Sequence, residues 1–138
     1  MNDKKLITIG LLGAISVSFG ALGAHFLKAK VALGLMTAEQ LNGFDTGVKY
    51  QIYHTMMLFA LFLLAKHNPH KFINWAYTCF VIGIALFSGS IYLLSTRTLF
   101  HTEWLTFLGP ITPIGGLFFI AGWLLLAMLG IQKSNIKK

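Results

Sequence analysis

Four stretches of this chain carry no charged side chain: residues 6–27, 50–65, 72–96 and 104–132. A helix needs about 20 apolar residues, range about 17–25, to cross the hydrocarbon core of a bilayer. A chain with four such runs, separated by its charges, is expected to cross a membrane four times. The composition agrees: 56% of the residues are hydrophobic and 11% charged, against about 45–50% and about 25% in water-soluble domains. An ordinary soluble globule is excluded.

The charges are eleven Lys and Arg against four Asp and Glu, a net +7. A basic balance often signals nucleic acid, but here the cations flank the apolar runs and form no stripe interleaved with aromatics. Nucleic-acid binding is therefore set aside. Four crossings put Lys4, Lys5, Lys66, Lys71, Lys133, Lys137 and Lys138 on one side of the membrane, and Lys28, Lys30, Lys49 and Arg97 on the other. By the positive-inside rule the first side is cytoplasmic, so both termini are expected there. The first run resembles a signal peptide, with Ala21-Leu22-Gly23 as a small-residue cleavage site. It is long for an apolar core of about 7–15 residues, and it carries two small-residue ladders, Gly10/Ala14/Ser18 and Ser16/Gly20/Ala24. Such ladders let membrane helices approach closely, so the run is read as a retained, packed span.

Between the first two runs, Thr37-Ala38-Glu39-Gln40 has the form of a capping box, with Met36 placed to staple onto Leu41. Leu41, Phe44 and Val48 then recur on one helical face. Residues 37–49 are expected to form an amphipathic helix in the outer interface that feeds into the second span. The last run holds Pro110 and Pro113 followed by Gly115-Gly116, a pattern that breaks a straight helix. The regular part is expected to start near Pro113, at residues 113–132, with 104–112 as a separate lead-in or re-entrant segment.

The polar residues inside the spans gather toward the outer side. His25 lies near the outer end of span one and His54 about one turn into span two. Ser88, Ser90 and Tyr92 fall about 6–12 Å below the outer end of span three, at 1.5 Å per residue, and Thr112 enters span four from the same side. With Lys49 and Tyr50 these form a candidate ligand-binding cluster. Ionisable groups inside a membrane are functional candidates by default, and a helix start near Pro113 would offer free N–H groups to an anionic or carbonyl-bearing ligand. The plainer reading is that each is hydrogen-bonded within the bundle. Trp75, Trp104 and Trp123 read as interface anchors. No catalytic constellation is present, and every Asp and Glu lies outside the spans, so no catalytic residue, metal ligand or cofactor is assigned. Cys79 is the single cysteine, so an internal disulfide cannot form.

The blocks Gly20-Ala21-Leu22-Gly23-Ala24-His25, Val48-Lys49-Tyr50-Gln51-Ile52-Tyr53-His54, Leu86-Phe87-Ser88-Gly89-Ser90-Ile91-Tyr92-Leu93 and Ile111-Thr112-Pro113-Ile114-Gly115-Gly116 with Ala121-Gly122-Trp123 resemble, in this order, the family catalogued as domain of unknown function 423. The resemblance spans nearly the whole chain. It implies a small bacterial inner-membrane protein with several spans, and no activity. The expected fold is thus all-α: one membrane domain over residues 1–138, a four-helix bundle with spans at about 6–27, 50–65, 72–96 and 113–132 and an additional interfacial helix at about 37–49. The expected role is non-catalytic binding of a small or lipidic ligand, or of a partner protein, through the outer cluster. Three alternatives stay open: a homo-oligomeric transporter or channel-like component, a haem- or quinone-associated redox subunit with His25 facing His54, and a purely structural assembly protein.

Overall fold

A computed structural model of the chain describes residues 3–136, with side chains described for residues 3–132. Lys137, Lys138 and the side chain of Lys133, counted above in the charge asymmetry, lie outside the described residues. All regular structure among the described residues is helical. Four segments are long and apolar enough to cross a membrane: α1 (Asp3–Ala32), α2 (Ala38–His67), α3 (Lys71–Thr96) and a fourth, Glu103–Gln132. The fourth comprises a 3₁₀ helix (Glu103–Leu108) and α4 (Ile111–Ile136).

The helix ends follow from local chemistry. Gly34, at φ +71°, closes α1. The N–H of Leu35 donates to Lys30 C=O and that of Gly34 to Val31 C=O, a Schellman motif that satisfies carbonyls left free at a helix end. α1 therefore runs five residues past the charge-free stretch. The capping box is present as the sequence predicts: Thr37 Oγ1 accepts from Gln40 N–H at 3.1 Å, and Gln40 Oε1 accepts from Thr37 N–H at 2.9 Å. α2 ends at His67 because Asn68 precedes Pro69, and the residue before proline is pushed out of the helical region. Asn68 sits at φ −153°, ψ 78°. His70 then caps α3, its Nδ1 accepting from Phe72 N–H.

Two expectations change here. The amphipathic segment 37–49 is not an additional helix lying in the interface. It forms the first turns of α2, which runs unbroken for 30 residues, about 45 Å, against a hydrocarbon core of about 30 Å. Its apolar face turns onto protein: Phe44 is buried with Leu27 and Met36, and Phe19, Leu41 and Val48 pack around them. The break before α4 also falls earlier than expected. Regular α-helix starts at Ile111, after the turn at Gly109-Pro110, so Pro113 occupies the first turn, where its missing N–H leaves no bond unmade. Gly115 and Gly116 break nothing and lie inside regular helix.

The glycines instead set how closely helices pack, which in lipid decides which helices associate. Along the α3–α4 seam, a Cβ added at Gly83 would lie 2.5 Å from the Phe119 ring and one at Gly122 would lie 2.5 Å from the Phe80 ring. One added at Gly115 would overlap the Phe87 backbone nitrogen. Each helix thus receives phenylalanines of the other. α1 packs on α2, α2 on α3 and α3 on α4, while among the described residues no Cα of α1 comes within 8 Å of α4. The bundle is therefore open, with α1 and α4 flanking the α2–α3 pair. The main core, which includes Leu58, Leu61, Ile73, Ala76 and Phe80, lies toward the end of that pair where α2 meets α3 through the turn at residues 68–70. Two π-helical turns that the hydropathy pattern does not announce interrupt α1 at Gly23–Leu27 and α3 at Ile84–Ser88. Such turns are rare and concentrate at functional positions.

Candidate functional site

His54 sits 16 residues after the start of α2 and 13 before its end, about 24 Å and 20 Å along the axis. It lies at the middle of the helix, beside Phe80 of α3 and Phe119 and Trp123 of α4. The expectation placed it about one turn into a span beginning at residue 50; the helix itself begins at Ala38. Both ring nitrogens are engaged: Nδ1 lies 2.7 Å from Tyr50 C=O and Nε2 accepts from Trp123 Nε1–H at 3.3 Å. Those partners require the neutral ring with its proton on Nδ1. One face stacks on Phe119, centroids 3.6 Å apart and planes 8° apart. Trp123 donates from the middle of α4; Trp75 and Trp104 are exposed near helix ends.

A second set of bonds ties three helices. Gln51 Nε2 donates to Leu12 C=O at 2.8 Å, and Tyr92 Oη donates to Gln51 Oε1 at 2.8 Å. Gln51, 2% exposed, thus joins α1, α2 and α3. Its role was not foreseen, although a carboxamide inside a charge-free run is a signal of the same kind as a histidine there. Ser90 donates to Phe87 C=O at 3.0 Å and therefore accepts from Thr112 at 2.6 Å, which ties α3 to α4. Ser16 donates to Val48 C=O at 3.3 Å. Among the described residues, the buried hydroxyls of Thr55 and Ser88 have no partner.

The expected cluster therefore divides. Ser90 and Thr112 meet, Tyr92 belongs to the Gln51 network, and His54 belongs to a deeper aromatic one. Ser88 is fully buried. Tyr50, 41% exposed, lays its ring against Phe87 with centroids 4.7 Å apart. Lys49 is exposed and paired with Asp45 at 2.6 Å, because position 49 sits on the outward face of a continuous helix. His25 lies on the π turn of α1 with its side chain exposed. The His25–His54 pair that a bis-histidine haem requires does not form, since the two stand at different depths and His54 has no free nitrogen. Of the two ladders, Ser16 and Gly20 face α2, while Gly10, Ala14, Ser18 and Ala24 are exposed. Gly13 and Gly23 complete the α1–α2 seam instead, against Thr55 and Phe44. Among the described residues no three His, Cys, Asp or Glu gather as a metal site would need.

An open groove of about 370 Å³ lies between the outer part of α1 and the first turns of α2. Phe19, Leu41, Phe44 and Val48 form its walls, Gly20, Gly23 and Ala24 keep one side shallow, and Lys28, Asn42 and Asp45 stand along it. The pairing of Asp45 with Lys49 offsets its charge. Lys28 has no ion-pair partner among the described residues. The groove thus offers an apolar trough with one uncompensated cation, at the end of the bundle that faces the outer interface if the termini are inside.

Residues 19–116 match the sequence profile of a family described as Protein of unknown function (DUF423). A UPF0382 membrane protein of Haemophilus influenzae is 37% identical over 136 residues, covering 99% of this chain and 100% of its own. The UPF0382 membrane protein YwdK of Bacillus subtilis is 34% identical over 131 residues, covering 94% of this chain and 98% of its own. The UPF0382 inner membrane protein YgdD of Escherichia coli K12 is 33% identical over 127 residues, covering 92% and 88%. No solved structure matches the chain.

Proposed function

This chain is a multi-pass membrane protein that belongs to the DUF423 family, and on that premise we propose that it acts by binding rather than by chemistry, holding a lipidic amphiphile with an anionic head in the groove between α1 and α2. The uncompensated Lys28 beside an apolar trough carries the reading. The head pairs with Lys28, and the chain lies between Phe19 and Phe44 over glycines that leave room for it. The volume falls within the range of about 300–1,000 Å³ usual for small-molecule sites. Gln51 and Tyr92 act beneath the groove as bonds that hold its walls, while His54, Ser90 and Thr112 tie α4 to the bundle, their polar atoms being taken up within it. The protein sits in the cytoplasmic membrane with both termini inside, which places the groove in the outer leaflet.

Native mass spectrometry of the detergent-purified protein tests this. We expect a defined anionic lipid to be retained, with retention lowered about fivefold by Lys28→Gln, the effect of about 1 kcal/mol per cation at a membrane surface. Ala24→Phe should fill the trough from an exposed position and abolish retention. Bare protein, or an unselective lipid spread unchanged by both substitutions, would overturn the reading in favour of an assembly role with a second copy or another membrane protein.

A further inference from the structure

On the other side of the first turns of α2 lies a second groove, of about 390 Å³, between α2 and the outer end of α3. Its charged lining residues are Arg97 and Glu39. Arg97 is the chain's single arginine. Among the described residues these two opposite charges form no ion pair; the pair present is Lys49–Asp45. They thus face one space without neutralising each other. Arg97 spends one donor on Leu94 C=O at 2.5 Å, which anchors the guanidinium and leaves the rest of its five-donor fork. Between them Ser95 lines the groove. It is 5% exposed, and its hydroxyl makes no hydrogen bond among the described residues. That hydroxyl is not among the buried ones without a partner, which are those of Thr55 and Ser88; it keeps access to the groove it lines, and a partner can come from there. The start of α2 adds the positive end of a 30-residue helix to the same space.

We propose that this groove binds a phosphoethanolamine-type zwitterion. The phosphate takes the free donors of Arg97, the Ser95 hydroxyl and the positive end of α2, and the primary ammonium takes the Glu39 carboxylate. Arginine's planar fork suits a phosphate, and a simple anion would leave Glu39 as a repulsive neighbour. The groove opens at the membrane's outer interface, so the zwitterion is the head of a phospholipid. The site shares no lining residue with the α1–α2 groove and stands or falls separately from it.

The full-length protein carrying Lys28→Gln, which removes the anion preference of the α1–α2 groove, reconstituted in nanodiscs of equimolar phosphatidylethanolamine, phosphatidylglycerol and phosphatidylcholine and released for native mass spectrometry, should retain phosphatidylethanolamine about three- to fivefold over the other two, the scale of one partly exposed ion pair. Glu39→Gln, a near-isosteric change at an exposed position, should erase that preference over phosphatidylglycerol while leaving phosphatidylglycerol retention in place. Ser95→Ala should lower retention of both. Soluble glycerophosphoethanolamine added in excess separates the sources: failure to compete assigns the lipid, and full competition assigns the free headgroup compound with the same Glu39 dependence. Equal retention of the three lipids in that Lys28→Gln background, or a preference untouched by Glu39→Gln, would overturn the proposal. Lys66→Gln, at the far end of α2 and outside both grooves, serves as control and should leave the ethanolamine preference unchanged.

Discussion

Trp123 donates its indole N–H to Nε2 of His54 across 3.3 Å, from the middle of α4 to the middle of α2. No Cα of α2 comes within 8 Å of α4 among the described residues, so side chains couple these helices, through this bond, the stacking of His54 on Phe119 and the contact of Tyr50 with Phe119. With no water at that depth to substitute for a lost partner, the bond bears on how α4 docks.

A double-mutant cycle with His54→Ala and Trp123→Phe checks this. The expected coupling is about 0.6–1.7 kcal/mol, the range for hydrogen bonds between membrane helices, read from unfolding in detergent titrated with dodecyl sulfate. Additive losses would show that the two residues do not interact. Lipid retention in either groove should survive both substitutions.

The Gln51 network predicts an order of effects. Tyr92→Phe leaves Gln51 Oε1 without its donor, whereas Gln51→Leu strands both the Leu12 carbonyl and the Tyr92 hydroxyl. Gln51→Leu should therefore cost more, about 1–3 kcal/mol, against about 1 kcal/mol for Tyr92→Phe. Equal losses in the same titration would show that the bond to Leu12 adds nothing, and no loss for Tyr92→Phe would place its hydroxyl outside the network.

Gly115 and Gly116 are neighbours with opposite tolerances. A Cβ at Gly115 would overlap the Phe87 backbone, while one at Gly116 would lie 3.8 Å from the Phe87 ring, an ordinary contact. Gly115→Ala should push α3 and α4 apart and cost at least the 1–3 kcal/mol typical of overpacking. Gly116→Ala should be neutral or slightly stabilising, since alanine favours a helix interior over glycine by about 1 kcal/mol. Thermal unfolding of the two variants decides it.

Orientation is open to cysteine labelling in a Cys79→Ser background. A membrane-impermeant maleimide applied to whole cells should label Glu103→Cys, and should label Asn68→Cys only after permeabilisation. The reverse pattern would invert the topology and move both grooves to the inner leaflet.

The crossings and most helix ends were legible before any coordinates. Burying a charge in hydrocarbon, leaving a backbone group unpaired there, continuing a helix into Asn68-Pro69 and capping one at Thr37 are costs paid residue by residue, so each leaves a local mark. The site was legible only in part. Its polar residues could be named, but Ser90 with Thr112 was the one pair of them joined side chain to side chain by a hydrogen bond, with Tyr50 joined to His54 through its carbonyl. Charge-free runs understate helix length when a helix projects past the bilayer: α2 carries Glu39, Asp45 and Lys49 in its first turns, which puts His54 at the middle of the helix and not near its start. A π turn re-aims the residues around it, and nothing in the hydropathy of Gly23–Leu27 or Ile84–Ser88 marks one.

Membrane topology and helix capping were thus properties of the chain's own residues, set by transfer energies and backbone bonds that each segment meets alone. Which helices pair, which hydroxyl finds which carbonyl, and where grooves are left open were decided by tertiary contact. In lipid the surrounding tails are as apolar as the side chains, so hydrophobicity does not select a partner helix. Selection falls instead to close fits, such as Gly115 under Phe87, and to a few buried bonds, such as His54 with Trp123.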